Sequence, residues 1–155
     1  MIQCHAQRTR GYQTWLLATS LWEKAFYNTV CETGPGTMRL VAATSDLFLR
    51  SRIAELAKQT GADPYFGTHP DELRRLVAEN RPELVILDLS STDYDPFSVA
   101  RELKTKFTVR LFGLFPHVKT ELKKRADEIG FEYVVPNSNF LSSLRRVLLE
   151  RTEDD

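Results

Sequence analysis

The residues whose types and spacing could support chemistry gather around one aspartate. Glu83-Leu-Val-Ile-Leu-Asp88-Leu-Ser is an apolar run that ends in a carboxylate, and Asp93, Asp95 and Pro96 follow in the next loop. In an open α/β sheet, ligands and reacting groups collect at the carboxyl ends of the strands. Asp88 is therefore a site candidate. An earlier run, Arg39-Leu-Val-Ala-Ala-Thr44, ends beside Ser45 and Asp46. Asp46, Asp88 and Asp93 are candidate oxygen ligands for a hard divalent cation, which takes such ligands. The structural alternative is that Asp46 caps the helix starting at Leu47 and that Asp93 and Asp95 are loop and N-cap residues. Asp88 then accepts hydrogen bonds from nearby N–H groups or hydroxyls, with Thr44 and Ser45 as the expected donors.

Other reactive residues lack companions. His117 follows Pro116 with no Ser or Cys close by in sequence to act as a nucleophile, and His69 before Pro70 reads as a turn residue. Cys4 and Cys31 form no CxxC pair, so they give no metal-site spacing. No glycine-rich phosphate loop is present, which leaves nucleotide or flavin binding without a motif.

The elements that must position Asp88 follow a regular rhythm. Strands are expected at 39–44, 62–67, 84–89, 109–115 and 131–135, alternating with helices that open near Leu47, Pro70, Phe97, Thr120 and Phe140. Apolar residues recur at helical spacing in each helix, and Gly61, Arg81-Pro82 and Gly130 supply stops. Leu141, Leu144, Val147 and Leu148 form the inward stripe of the last helix. Such alternation predicts an α/β fold: a flavodoxin-like (βα)5 three-layer sandwich with a five-stranded parallel sheet in the order 2-1-3-4-5. That order sets the ends of the first and third strands side by side.

Composition bounds the class. The chain has 155 residues, long enough for one proper core, with 42% hydrophobic and 27% charged residues, the balance of a soluble domain. Formal net charge is zero, so no overall field favours nucleic acid or an anionic membrane. The expected organisation is an N-terminal extension at 1–37, a domain at 38–152 and a frayed tail at 153–155. In the extension, Tyr12–Val30 is a possible helix with Trp15 and Trp22 on one side. Its short apolar run is broken by Glu23 and Lys24, which argues against a signal peptide. Met38 directly before the first strand is the expected natural start, the segment before it being upstream translation.

Residues 39–150 resemble the receiver domain of bacterial two-component response regulators. Pro82-Glu-Leu-Val-Ile-Leu-Asp88-Leu carries the resemblance most strongly, with Asp95-Pro96 seven residues after the aspartate and Gly130-Phe-Glu-Tyr-Val-Val before the last helix. The resemblance puts Asp88 at the phospho-accepting position. It also implies two acids for Mg²⁺ after the first strand, a Thr or Ser after the fourth and a Lys after the fifth. Here the acid positions align with Thr44 and Ser45, the hydroxyl position with Phe115 or Pro116 and the lysine position with Asn137. The aromatic position of the fifth strand aligns with Val134, next to Tyr133. Phosphoryl transfer depends on positioning and on neutralising charge, and the metal ligands, the hydroxyl and the lysine are missing together.

The expectation is a degenerate pseudo-receiver: a cytoplasmic, non-catalytic signalling module without a cofactor. It is expected to bind a protein partner, with a homodimer as one form, and neither nucleic acid nor membrane. Its binding residues are expected to be Thr44, Ser45, Asp46, Asp88 and Asn137. Its interaction surface, implied by the resemblance, runs over 119–129, Tyr133 and 141–149, including Lys123 and Leu144. One alternative is an atypical receiver phosphorylated on Asp88 with Mg²⁺ held by Asp46 and Asp88. Another is a small-ligand sensor at the strand-end crevice.

Overall fold

The computed structural model describes residues 37–150. The expected extension, with its Tyr12–Val30 helix, and the tail lie outside the described residues. Strands β1 (Arg39–Ala43), β2 (Asp63–Gly67), β3 (Leu84–Asp88), β4 (Arg110–Phe115) and β5 (Tyr133–Pro136) alternate with helices α1 (Leu47–Thr60), α2 (Pro70–Asn80), α3 (Pro96–Lys106), α4 (Thr120–Ile129) and α5 (Phe140–Glu150). A short 3₁₀ turn, Asn137–Asn139, leads into α5. The sheet order is β2-β1-β3-β4-β5 with every pair parallel, as the alternation predicts.

Successive strand residues point to opposite faces, and both faces are covered. Val41, Val85, Leu87 and Leu111 pack against Leu73 and Val77 of α2, Phe97 and Leu103 of α3 and Ala126 of α4. Leu40, Ala42, Ile86 and Phe112 pack against Ile53 and Leu56 of α1 and against Phe140, Leu144 and Val147 of α5. That two-sided cover explains why β3 is apolar until its last residue. Phe112 anchors the α1/α5 side, stacked on Tyr133 at 5.6 Å and edge-on to Phe140 at 5.5 Å.

Leu144, expected on an interaction surface, is fully buried. Its place on the stripe with Phe140, Val147 and Leu148 turns it to the sheet, as its helical spacing predicted, and the exposed residues beside it are Arg145 and Arg146. The fifth strand also begins two residues later than expected. Phe131 precedes the ladder, which starts with Phe112 opposite Tyr133, and packs over Gly113.

Polar links tie the helices together at the surface. Glu102 of α3 accepts from Arg74 of α2 at 2.8 Å and from Lys106 at 2.7 Å, and Arg74 also meets Asp71. Glu132 accepts from the Leu111 amide at 2.7 Å and pairs with Lys104, fixing the approach to β5. Among the described residues no helix is long and apolar enough to cross a membrane.

Gly113 of β4 is closely covered by its neighbours. A Cβ there would meet Leu89 Cδ1 at 2.9 Å and Phe131 Cδ1 at 3.2 Å. Gly113→Val is expected to lower stability by about 1–3 kcal/mol in urea unfolding, because the surrounding chains must shift. A second expectation concerns acid. The side chains of Lys106 and then Arg74 hold the Glu102 carboxyl below the usual range. Its contribution is present above the ordinary glutamate value, 4.5, and is lost as pH falls through the lower folded value. Wild type should therefore lead Glu102→Gln at neutral pH, and the gap should close as denaturation is repeated at lower pH.

Candidate functional site

The candidate site lies where the sheet order reverses. β1 pairs with β2 on one side and β3 on the other, with Ala43 opposite Leu87, so Thr44 and Asp88 follow at neighbouring strand ends. Three connections meet there: 44–46 after β1, 89–95 after β3 and 116–119 after β4.

Asp88 is half-buried, and its Oδ1 accepts both from the Ser90 amide at 2.9 Å and from the Ser90 hydroxyl at 2.7 Å. The expected donors, Thr44 and Ser45, bond elsewhere. Thr44 is buried, and its Oγ1 accepts from the Asp46 amide at 3.1 Å. The Ser45 hydroxyl donates to Asp93 Oδ2 at 3.2 Å. The physical reason is distance along the chain: Ser90 lies two residues from Asp88 and closes a local turn, which a group on another strand cannot do as tightly.

Asp46 sits at the head of α1 and accepts from the Phe48 and Leu49 amides at 2.8 and 3.3 Å. Asp95 does the same for α3, accepting from the Phe97 amide at 3.1 Å, with Pro96 in the first turn. Both acids therefore serve helix ends. Asn137 is exposed in the 3₁₀ turn, where its carbonyl accepts from the Phe140 amide. Of Phe115 and Pro116, the two candidates for the hydroxyl position, Phe115 is buried and Pro116 half-buried. Among the described residues no three His, Cys, Asp or Glu side chains converge into a metal-binding group.

Two residues at this end escaped the sequence reading. Tyr94 reaches from the β3–α3 loop to the Ala43 carbonyl, donating at 3.3 Å. Burial, and then the Asp88 and Asp93 carboxylates, raise its phenol above the ordinary tyrosine value, so it remains a neutral donor. Arg50 of α1 folds back so that its Nε donates to the Thr44 carbonyl at 2.8 Å and its guanidinium lies 5.6 Å from the centre of the Phe66 ring. Arginine spacing on an amphipathic helix gives no sign of such a return contact. Tyr94, directly before the Asp95-Pro96 cap, was visible as an aromatic in a polar loop.

Of the expected interaction residues, Lys123 is exposed on α4 and Tyr133 is half-buried against Phe112. Arg125, also on α4, covers the Phe97 ring at 4.0 Å. Large exposed apolar side chains at this end are Leu47 and Phe48 at the start of α1 and Val118 after β4.

No family model and no curated protein sequence matches the chain. Solved structures do. The signal receiver domain of a DNA-binding response regulator from Colwellia psychrerythraea is 15% identical, with a TM-score of 0.67 over 75% of this chain and 98% of that one. A LuxR-family DNA-binding response regulator from Staphylococcus aureus gives 17% and 0.65, over 74% and 98%. A chemotaxis response regulator from Vibrio cholerae gives 15% and 0.62, over 72% and 98%. The fold of this chain is that of response-regulator receiver domains.

The cap at α1 can be measured directly. Asp46→Ala should cost about 1 kcal/mol in urea unfolding, the usual loss for an N-cap carboxylate. An unchanged midpoint would show that Asp46 does not serve as the helix cap.

Proposed function

We propose that this chain is a receiver-fold signalling module that works by protein–protein contact, without phosphoryl transfer at Asp88 and without enzymatic activity. The carrying observation is the state of the strand-end carboxylates. Asp88 Oδ1 is satisfied twice by Ser90, and Asp46, the nearest acid after β1, is engaged at the head of α1. The residues that follow β1, at the strand end beside Asp88, are the neutral Thr44 and Ser45. Mg²⁺ demands near-octahedral oxygen coordination with carboxylate ligands, and this donor set does not fit it. By the resemblance, the hydroxyl and lysine that would steady a phosphoryl group align with Phe115 or Pro116 and with the neutral, exposed Asn137.

The proposed partner is a protein, with a second copy of the chain as one candidate, and neither nucleic acid nor membrane is part of the reading. Zero formal charge supports that, since counterion release from nucleic acid needs a basic face. The proposed location is the cytoplasm. The fold in known neighbours is attached to signalling proteins, including DNA-binding response regulators.

Incubation with acetyl phosphate and Mg²⁺, followed by intact-mass measurement, tests the chemistry. The expected result is unmodified protein. A stoichiometric phosphoryl adduct that disappears in Asp88→Asn would replace this reading with that of a phosphorylatable receiver.

A further inference from the structure

Two hydrogen bonds join the end of β1 to the β3–α3 loop. The Tyr94 hydroxyl donates to the Ala43 carbonyl at 3.3 Å, and the Ser45 hydroxyl donates to Asp93 Oδ2 at 3.2 Å. Residues 93 and 94 thus hold the β3–α3 loop to the end of β1. Asp88 lies at the base of that loop, its Oδ1 bound by Ser90 from within the loop. Tyr94 is half-buried and packs against the α2–α4 side of the core, whereas the Ser45–Asp93 bond is exposed.

We propose that residues 89–95 form a latch beside Asp88, held to the end of β1 with Tyr94 as its anchor and the Ser45–Asp93 bond as its outer catch. This deepens, and rests on, the reading of Asp88 as a carboxylate withheld from phosphoryl transfer. The latch rests on two side-chain hydrogen bonds. The outer one competes with water. The loop itself has few backbone anchors: Leu89 donates to the Leu114 carbonyl at 2.9 Å and Ser91 to the Asp88 carbonyl at 3.2 Å. Releasing the catch frees Asp93, and releasing the anchor frees the Tyr94 phenol, so either step loosens the loop beside Asp88 and raises access to its carboxyl.

Ser45→Ala and Tyr94→Phe each remove one crossing bond. Ser45 is exposed and phenylalanine keeps the aromatic ring, so the core is left in place. Two readouts apply to the full chain: amide hydrogen exchange over 89–95, and amidation of the Asp88 carboxyl by carbodiimide with glycinamide, located by peptide mass. Loss of one ordinary hydrogen bond shifts an opening equilibrium about fivefold. Each single variant is expected to accelerate both readouts by about that factor and the double variant by about tenfold or more, with α5 amides unchanged. Unaltered rates in the double variant would overturn the latch. So would an acceleration shared equally by α5, since that reports global unfolding. An acetyl phosphate adduct on wild type would sink the non-catalytic reading without moving either of these rates.

Discussion

Burial of both faces of the parallel sheet is the constraint on which everything else depends. A strand covered by helices above and below has no solvent side, so any polar residue it carries must sit at its end. β3 obeys this to the residue: Leu84 through Leu87 are buried, and only Asp88 at the end is half-buried. The order β2-β1-β3-β4-β5 then brings that end against the end of β1. The placement of the carboxylate is thus a consequence of hydrophobic burial before it is a matter of chemistry.

Around that carboxylate, charge compensation has given way to local hydrogen bonding. A group of clustered carboxylates requires cations to hold it together, because like charges raise each other's energy. Here the carboxylates are dispersed. Asp46 and Asp95 stabilise helix N-termini, where the backbone amides and the helix dipole favour negative charge. Asp93 accepts from Ser45, and Asp88 accepts from Ser90. Each finds donors without a bound ion, and Tyr94 stays neutral among them. The result is a fold shared with response-regulator receiver domains, in which each of these four carboxylates accepts a hydrogen bond from a neighbouring group.

Particular residues show where sequence reasoning succeeds. Gly130 stops α4 with φ of 92°, a conformation that glycine reaches without strain, and the sequence marks it plainly. Arg81 ends α2 at φ 45°, and Pro82 after it cannot continue the helix. Asp46 and Asp95 are readable as caps because their partners lie two or three residues away. Leu144 illustrates the opposite case. Its spacing on the helix placed it inward, whereas the family resemblance suggested an outward surface, and burial settled the matter in favour of spacing. Gly113 gave no signal at all, since the close approach of Leu89 and Phe131 exists only after the β3–α3 loop and the turn before β5 have packed.

The sequence by itself determined the alternation of strands and helices, the sheet order it implies, the position of Asp88 and the lack of cationic companions at the aligned positions. Those are properties of periodicity and residue type, which are local. The tertiary structure alone decided which donor reaches Asp88, that Thr44 turns its hydroxyl to its own loop, and that Tyr94 and Ser45 bind the β3–α3 loop to β1 across 51 and 48 residues. A hydrogen bond is fixed by tenths of an ångström and by angle. Pairings between distant segments therefore come into being only when the buried sheet has set those segments side by side.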